Sequence, residues 1–121
     1  MTERIDPKRE QVITPHEAWN KEKLAALIKS MREDGWQGLP LIGYRLSDNP
    51  YDPIWLLNGS HRVVAAQETG ISIPVHIVEL SEEARRELIQ YGEPGKDNER
   101  MMILEMCDDE RAIEIFEKER N

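Results

Sequence analysis

Gly59-Ser60-His61-Arg62 sets a flexible turn residue, a hydroxyl, an imidazole and a guanidinium side by side, directly before the apolar run Val63-Val64-Ala65-Ala66. A glycine turn that opens a helix gathers unpaired backbone N–H groups and the positive end of the helix dipole at one point, and that point attracts anions. Ser60, read as the N-cap, adds a hydroxyl; His61 and Arg62 add side-chain donors, and a guanidinium grips two phosphate oxygens at once. Val63, at N3 on that reading, brings no capping-box carboxylate to occupy donors or repel an anion. The chemistry implied is phosphate binding. Two plainer readings fit the same residues: Asn58-Gly59 is a strong signal for a two-residue hairpin turn, and Ser60 could do no more than cap its own helix.

The surrounding elements set where this turn would sit. Leu24, Leu27, Ile28 and Met31 recur at helical spacing between a capping Asn20 and a closing Gly35, which predicts a helix over 21–34. Leu39 to Tyr44 and Ile54 to Leu57 read as two strands of a long-looped hairpin around Ser47-Asp48-Asn49-Pro50-Tyr51-Asp52-Pro53, and Gln11 to Ile13 as a short strand before them. The phosphate turn then leads into a helix that ends at Gly70. Ile73 to Leu80 reads as a further strand, with Ile73, Val75 and Ile77 on one face and Pro74, an edge or strand-start residue, opposite with His76 and Val78. Ser81 caps an acidic first turn, a break follows at Tyr91-Gly92-Glu93-Pro94-Gly95, and helix resumes over 98–119. The order of elements gives an α+β fold with a small mixed sheet.

Length and charge bound the options. The chain has 121 residues, 39% of them apolar, which suits one domain with a modest core. Sixteen Lys and Arg face 24 Asp and Glu, net −8, so a broad cationic footprint for DNA is missing. The imbalance is uneven: residues 1–80 hold 11 acidic and 9 basic side chains, net −2, and residues 81–121 hold 13 and 7, net −6. The nearly neutral front can host a local anion site. With no membrane-length apolar run and a polar start, the expectation is a cytoplasmic protein with no membrane partner. A single Cys107 and the scattered His16, His61 and His76 form no metal-ligand cluster. Trp19, Trp36 and Trp55 border the expected elements and read as core or rim packing, with Trp36, beside Gly35 and Gly38, also placed to line a pocket. Met101, Met102, Ile103, Leu104, Met106, Ile113, Ile115 and Phe116 give the tail an apolar side, for packing on the sheet or for a homodimer through the C-terminal helices.

The run Leu56-Leu57-Asn58-Gly59-Ser60-His61-Arg62-Val63-Val64-Ala65-Ala66, followed by Gly70 and Ile73-Pro74-Val75, resembles the ParB/sulfiredoxin superfamily, whose phosphate loop has a Gly-x-His-Arg or Gly-x-Arg-Arg form. Lys23 to Met31, Asp34-Gly35 and Leu39-Pro40-Leu41-Ile42 are similar to the family's first helix, turn and Pro-led strand, so the likeness runs over residues 12 to 80. It implies a ParB/sulfiredoxin-like core over 1–80 that binds a nucleotide, ATP, ADP or CTP, with an acidic helical extension over 81–121 packed on the same domain. Members of the superfamily differ in their work: sulfiredoxins spend ATP to repair a cysteine sulfinic acid, ParB proteins bind CTP and DNA, some relatives are called nucleases, and others phosphorylate free serine. Fold alone does not choose among these.

Carried over residue by residue, the resemblance makes Gly59, Ser60, His61 and Arg62 the phosphate loop and Lys23 and Ser30 nucleotide contacts on one face of the first helix. Ser60 stands where sulfiredoxins have their catalytic cysteine, which excludes that repair chemistry. Pro15-His16-Glu17 is similar to a segment of the free serine kinases that carries a catalytic Glu, which implies Glu17 as general base toward a small hydroxyl substrate, with Mg²⁺ and Arg62 neutralising phosphate charge. The kinases typically show Asp-Gly-His-His-Arg where this chain has Asn58-Gly59-Ser60-His61-Arg62; if that Asp is needed, the chain binds without turnover. The other reading is a DNA-associated module or nuclease in which the same loop acts as a phosphate or nucleotide switch. The Gly-Glu-Arg-Arg usual in ParB is not present, so DNA contact is expected only with a partner's help. A nuclease would need a metal-holding acid set such as Glu17, Asp48 and Asp52, yet Asp48 and Asp52 sit where turns favour Asp anyway.

Overall fold

The structure, a computed structural model, describes residues 2–15, 17–91 and 109–120. His16, the Gly92–Gly95 break, Met101 to Met106 and Cys107 lie outside the described residues. The described elements are β1 (Thr2–Ile5), β2 (Val12–Ile13), α1 (Lys21–Asp34), β3 (Leu41–Tyr44), β4 (Ile54–Leu56), α2 (Ser60–Thr69), β5 (Ile73–Ile77), α3 (Glu82–Tyr91) and α4 (Glu110–Arg120). Five strands form one mixed sheet in the order β1-β5-β3-β4-β2. β1 runs antiparallel to β5, β5 parallel to β3, β3 antiparallel to β4 and β4 parallel to β2.

Two-residue periodicity assigns side chains to the two faces of this sheet. Leu41, Ile54, Leu56, Ile73 and Val75 point to one face and meet Met31 of α1 with Val63 and Ala66 of α2. Ile42, Tyr44, Val78 and Leu80 belong to the other, under Ala84 and Leu88 of α3 and Ala112 and Ile115 of α4. Both faces of the central strand β3 are covered, which is why all four of its residues are buried. The helices follow their caps: Asn20 Oδ1 accepts the Lys23 N–H at 3.0 Å, Gly35 N–H donates to the Met31 carbonyl, and Ser81 Oγ accepts the Ala84 N–H.

Two expectations shift. Residues 2–5 form a strand that their own pattern hides, because only Ile5 reaches the core and the strand exists by pairing with β5. Pro74 is the second residue of β5, but β5 is flanked on both sides, by β1 and β3, so it is no edge strand.

α4 is held by more than apolar contact. Ile115 is fully buried, worth about 1.5–3 kcal/mol for a side chain of that size. Asp109 caps the helix through Oδ1, which accepts the Ala112 N–H at 3.0 Å, while Oδ2 lies 2.9 Å from Nε2 of the buried His76 on β5. Partial burial pushes the Asp109 pKa up, but the hydrogen bonds from Ala112 and His76 outweigh it and hold the carboxyl below the ordinary aspartate range. A depressed folded pKa means the contribution is present in full above the unfolded value, near pH 4, and is lost as pH falls through the lower, folded one. Acid titration followed by circular dichroism should therefore show Asp109→Asn less stable than wild type at neutral pH, with the gap narrowing below about pH 4. A gap independent of pH would show that the carboxylate's charge plays no part.

Candidate functional site

The candidate site begins where β4 leaves the sheet. Leu57 N–H donates to the Ile42 carbonyl at 2.8 Å and Ile42 N–H donates to Asn58 Oδ1 at 3.0 Å, so the chain stays pinned to β3 for two residues past the strand. Asn58 thus serves β3 as an acceptor, a role a carboxylate would also fill. Gly59 then turns with φ 82° and ψ 27°, in the left-handed region. A Cβ there would stand 2.4 Å from Leu41 Cδ2, so glycine is required by both conformation and space.

The cap of α2 is Gly59 rather than Ser60, which is the first helical residue. This moves the register by one, placing Arg62 rather than Val63 at N3, and still leaves the first turn without an acidic residue. Asn58-Gly59 is accordingly a strand-to-helix turn and not the tip of a hairpin. Ser60 and His61 are buried under it. The backbone N–H groups of Ser60, His61 and Arg62 are those that a helix cannot pair internally.

Three side chains are brought to this turn by α1 and its approach. His61 Nε2 accepts the backbone N–H of Asn20, the α1 cap, at 3.1 Å, joining the two helix N-termini. Nε2 is therefore the unprotonated nitrogen of the ring, and a side-chain donor role falls to Nδ1. Lys23, exposed on the first turn of α1, faces the start of α2 across a cavity of about 610 Å³. Arg62 lines the same cavity, and its guanidinium carbon lies 5.2 Å from the centroid of the Trp36 ring, within cation–π range.

Of the residues singled out in the sequence, Lys23, Gly59, Ser60, His61 and Arg62 line this one cavity. Ser30 is half-buried two turns along α1 and is not among the lining residues; neither is Glu17, which is exposed and whose carbonyl accepts the Trp19 N–H at 3.0 Å. The cavity adds two residues read from sequence only as packing. Leu27 supplies apolar wall, and Trp19 stands 73% exposed at the mouth, edge-on to His61 with centroids 6.0 Å apart. Trp19 is therefore neither core nor covered rim, whereas Trp36 lines a second cavity beneath the end of α1 and Trp55 packs with the core under α3 and α4.

The imagined acid set does not assemble. Asp48 pairs with Arg85 at 2.7 Å, which holds its carboxyl below the ordinary range, and Asp52 accepts from the Ser47 hydroxyl. Among the described residues no group of three or more His, Cys, Asp or Glu side chains could hold a metal ion, and no helix is long and apolar enough to cross a membrane.

Comparison with known proteins places this geometry. A family model described as the ParB N-terminal domain matches residues 2–91, which takes in β1 and α3 as well as the loop. The C-terminally truncated chromosome-partitioning protein ParB from Caulobacter crescentus, solved in complex with CTP-gamma-S, superposes with a TM-score of 0.54 at 20% identity, over 90% of this chain and 54% of that one. This chain thus spans about half the length of that ParB structure. Sulfiredoxin from Arabidopsis thaliana superposes with a TM-score of 0.53 at 20% identity, over 74% of this chain and 97% of that one. A search of curated proteins found no match. At these identities the two structures share the fold, and the cavity at the start of α2 has to be argued from its own residues.

Proposed function

The chain belongs to the ParB N-terminal domain family, and from that premise we propose that it is a nucleotide-binding module whose phosphate site is the first turn of α2. The observation that carries this reading is the convergence of Lys23, Arg62 and the α2 N-terminus on one cavity. Backbone N–H groups and the helix dipole hold phosphate oxygens there, Arg62 grips them as a fork, and Lys23 adds a mobile point charge from the opposite helix. The CTP-gamma-S complex of the ParB neighbour supports the ligand class.

In the favoured version the module is an enzyme that transfers or hydrolyses the terminal phosphoryl group of ATP or ADP. Glu17 accepts the proton of a small hydroxyl substrate, or of water, as the oxygen attacks; the first turn of α2 and Arg62 hold the phosphates against the charge that builds on them. Glu17 stands two residues before Trp19, which lines the cavity, and the stretch that follows is tied down by the Asn20–His61 bond, so a bound substrate has to bring its hydroxyl to the Glu17 carboxylate from outside the lining. With no protein-only metal cluster among the described residues, Mg²⁺ fits as the nucleotide's own chelate, where it supplies charge neutralisation.

The test has two stages. Calorimetric titration of ATP, ADP and CTP, with and without Mg²⁺, is expected to show saturable binding, and no binding by wild type would sink the reading. Incubation with ATP or ADP and a panel of hydroxyl amino acids, free serine first, is then expected to yield phosphorylated product or inorganic phosphate, reduced about 100-fold or more in Glu17→Ala. Family membership favours one second reading, a DNA-associated module in which the loop holds nucleotide as a switch. Binding without turnover, together with retarded DNA mobility only when a partner protein is added, would decide for it.

A further inference from the structure

We propose that Trp19 is the base-stacking residue of this cavity, so that the ligand is a nucleoside phosphate recognised at both ends, rather than an inorganic or sugar phosphate; this rests on the phosphate site argued above. An indole left 73% exposed is unusual for so large an apolar ring. Yet the backbone around Trp19 is not loose. Its N–H donates to the Glu17 carbonyl at 3.0 Å, and the N–H of the next residue, Asn20, donates to His61 Nε2 at 3.1 Å. The ring is thus presented, uncovered, from a backbone that is fastened to the first turn of α2. The two ring planes stand at 76° to each other, so the contact with His61 leaves at least one indole face available for stacking.

The rest of the cavity completes the argument by chemistry. Lys23, Arg62 and the α2 N-terminus demand anionic charge; Trp19 and Leu27 offer apolar surface and a π-face in the same space. A volume of about 610 Å³ suits a drug-sized ligand, more than a lone phosphate fills. A ligand that satisfies both halves carries phosphates and a flat aromatic ring, which is the constitution of a nucleotide. Stacking accepts any base because every base has a π-face. Trp19 therefore confers selectivity for nucleotides over simple phosphates and little selectivity among bases, with purines held more tightly because they cover more of the indole.

Calorimetry on the full chain with ATP, CTP and inorganic tripolyphosphate, for wild type, Trp19→Ala and Trp19→Phe, separates the possibilities. The expected result is a loss of about ten-fold or more in affinity for ATP and CTP in Trp19→Ala, larger for ATP. Tripolyphosphate affinity should stay within about two-fold, and Trp19→Phe should keep most of the nucleotide affinity. An equal loss for tripolyphosphate would overturn the proposal by making Trp19 a support for the phosphate site; so would unchanged ATP affinity, or a change confined to the state of association in sedimentation. Failure of wild type to bind either ATP or tripolyphosphate would remove the phosphate site itself and the proposal with it. Because Trp19 is exposed, the variants should melt close to wild type.

Discussion

Replacing Arg62 with alanine is expected to weaken nucleotide binding by roughly 10- to 150-fold, the loss of one or two charge-assisted hydrogen bonds at about 1.5–3 kcal/mol. The size of the effect follows from how the side chain is held. Arg62 sits at N3 of α2, and its guanidinium lies against the Trp36 ring, 5.2 Å from the centroid. Much of the entropy of fixing a long side chain has been spent in folding, before any ligand arrives. Arg62→Lys should fall between wild type and alanine, because an ammonium keeps the charge but lacks the planar fork that matches phosphate oxygens and stacks on an indole. Trp36→Leu should weaken binding less than Arg62→Ala, by freeing the guanidinium rather than removing it. Titration calorimetry beside a thermal melt checks all three. If Arg62→Ala bound nucleotide as wild type does, the phosphates would lie elsewhere.

The largest stability effect is expected at Gly59. Alanine there must adopt a left-handed backbone, at about 1–2 kcal/mol, and must also displace Leu41, whose Cδ2 would lie 2.4 Å from the new Cβ. Leu41 is fully buried in the core under α1 and α2, so it has little room to yield, and crowding of this kind adds about 1–3 kcal/mol. Together these predict a loss of about 2–5 kcal/mol, and a drop in melting temperature of roughly 10–20 °C. Gly70 provides the control. It has nearly the same conformation, φ 72° and ψ 26°, but a Cβ on it would meet nothing within 4 Å. Gly70→Ala should therefore cost only the conformational part, about 1–2 kcal/mol, and the difference between the two variants measures the crowding alone. Equal losses would show that Leu41 gives way.

The legible parts of the fold were those that local chemistry decides. Leu24, Leu27, Ile28 and Met31, with Asn20 before them and Gly35 after, define α1 without tertiary information, and the structure places it at 21–34. The run from Asn58 to Ala66 likewise announces a strand, a turn and a helix. Beyond that, distant partners decide. Thr2 to Ile5 carries one core residue, and its extended form comes from pairing with β5. Ser60 and Gly59 compete for the cap, and the contest is settled by Leu41, which closes the space at position 59 to any side chain. His61 reads as a phosphate donor, yet its Nε2 is engaged by the backbone of Asn20, a tertiary contact with no local signature. Asp109 gave no signal at all, because its meaning depends on the His76 it meets across the sheet.

That meeting bears on the order in which the chain assembles. His76 stands opposite Thr2 in one strand pairing and opposite Ile42 in another, while its ring engages Asp109. Three remote stretches converge on one residue. Closing such long loops costs entropy before their contacts return anything, so non-local pairings are slow steps in folding. The β3–β4 hairpin joins neighbours in sequence and can form early; the outer strand and the last helix must wait until β5 is in place. Contacts absent from the transition state govern how fast a protein comes apart more than how fast it folds. Weakening the His76–Asp109 link should then hasten unfolding while leaving the refolding rate almost unaltered, which makes this partly buried pair a brake on the molecule's disassembly.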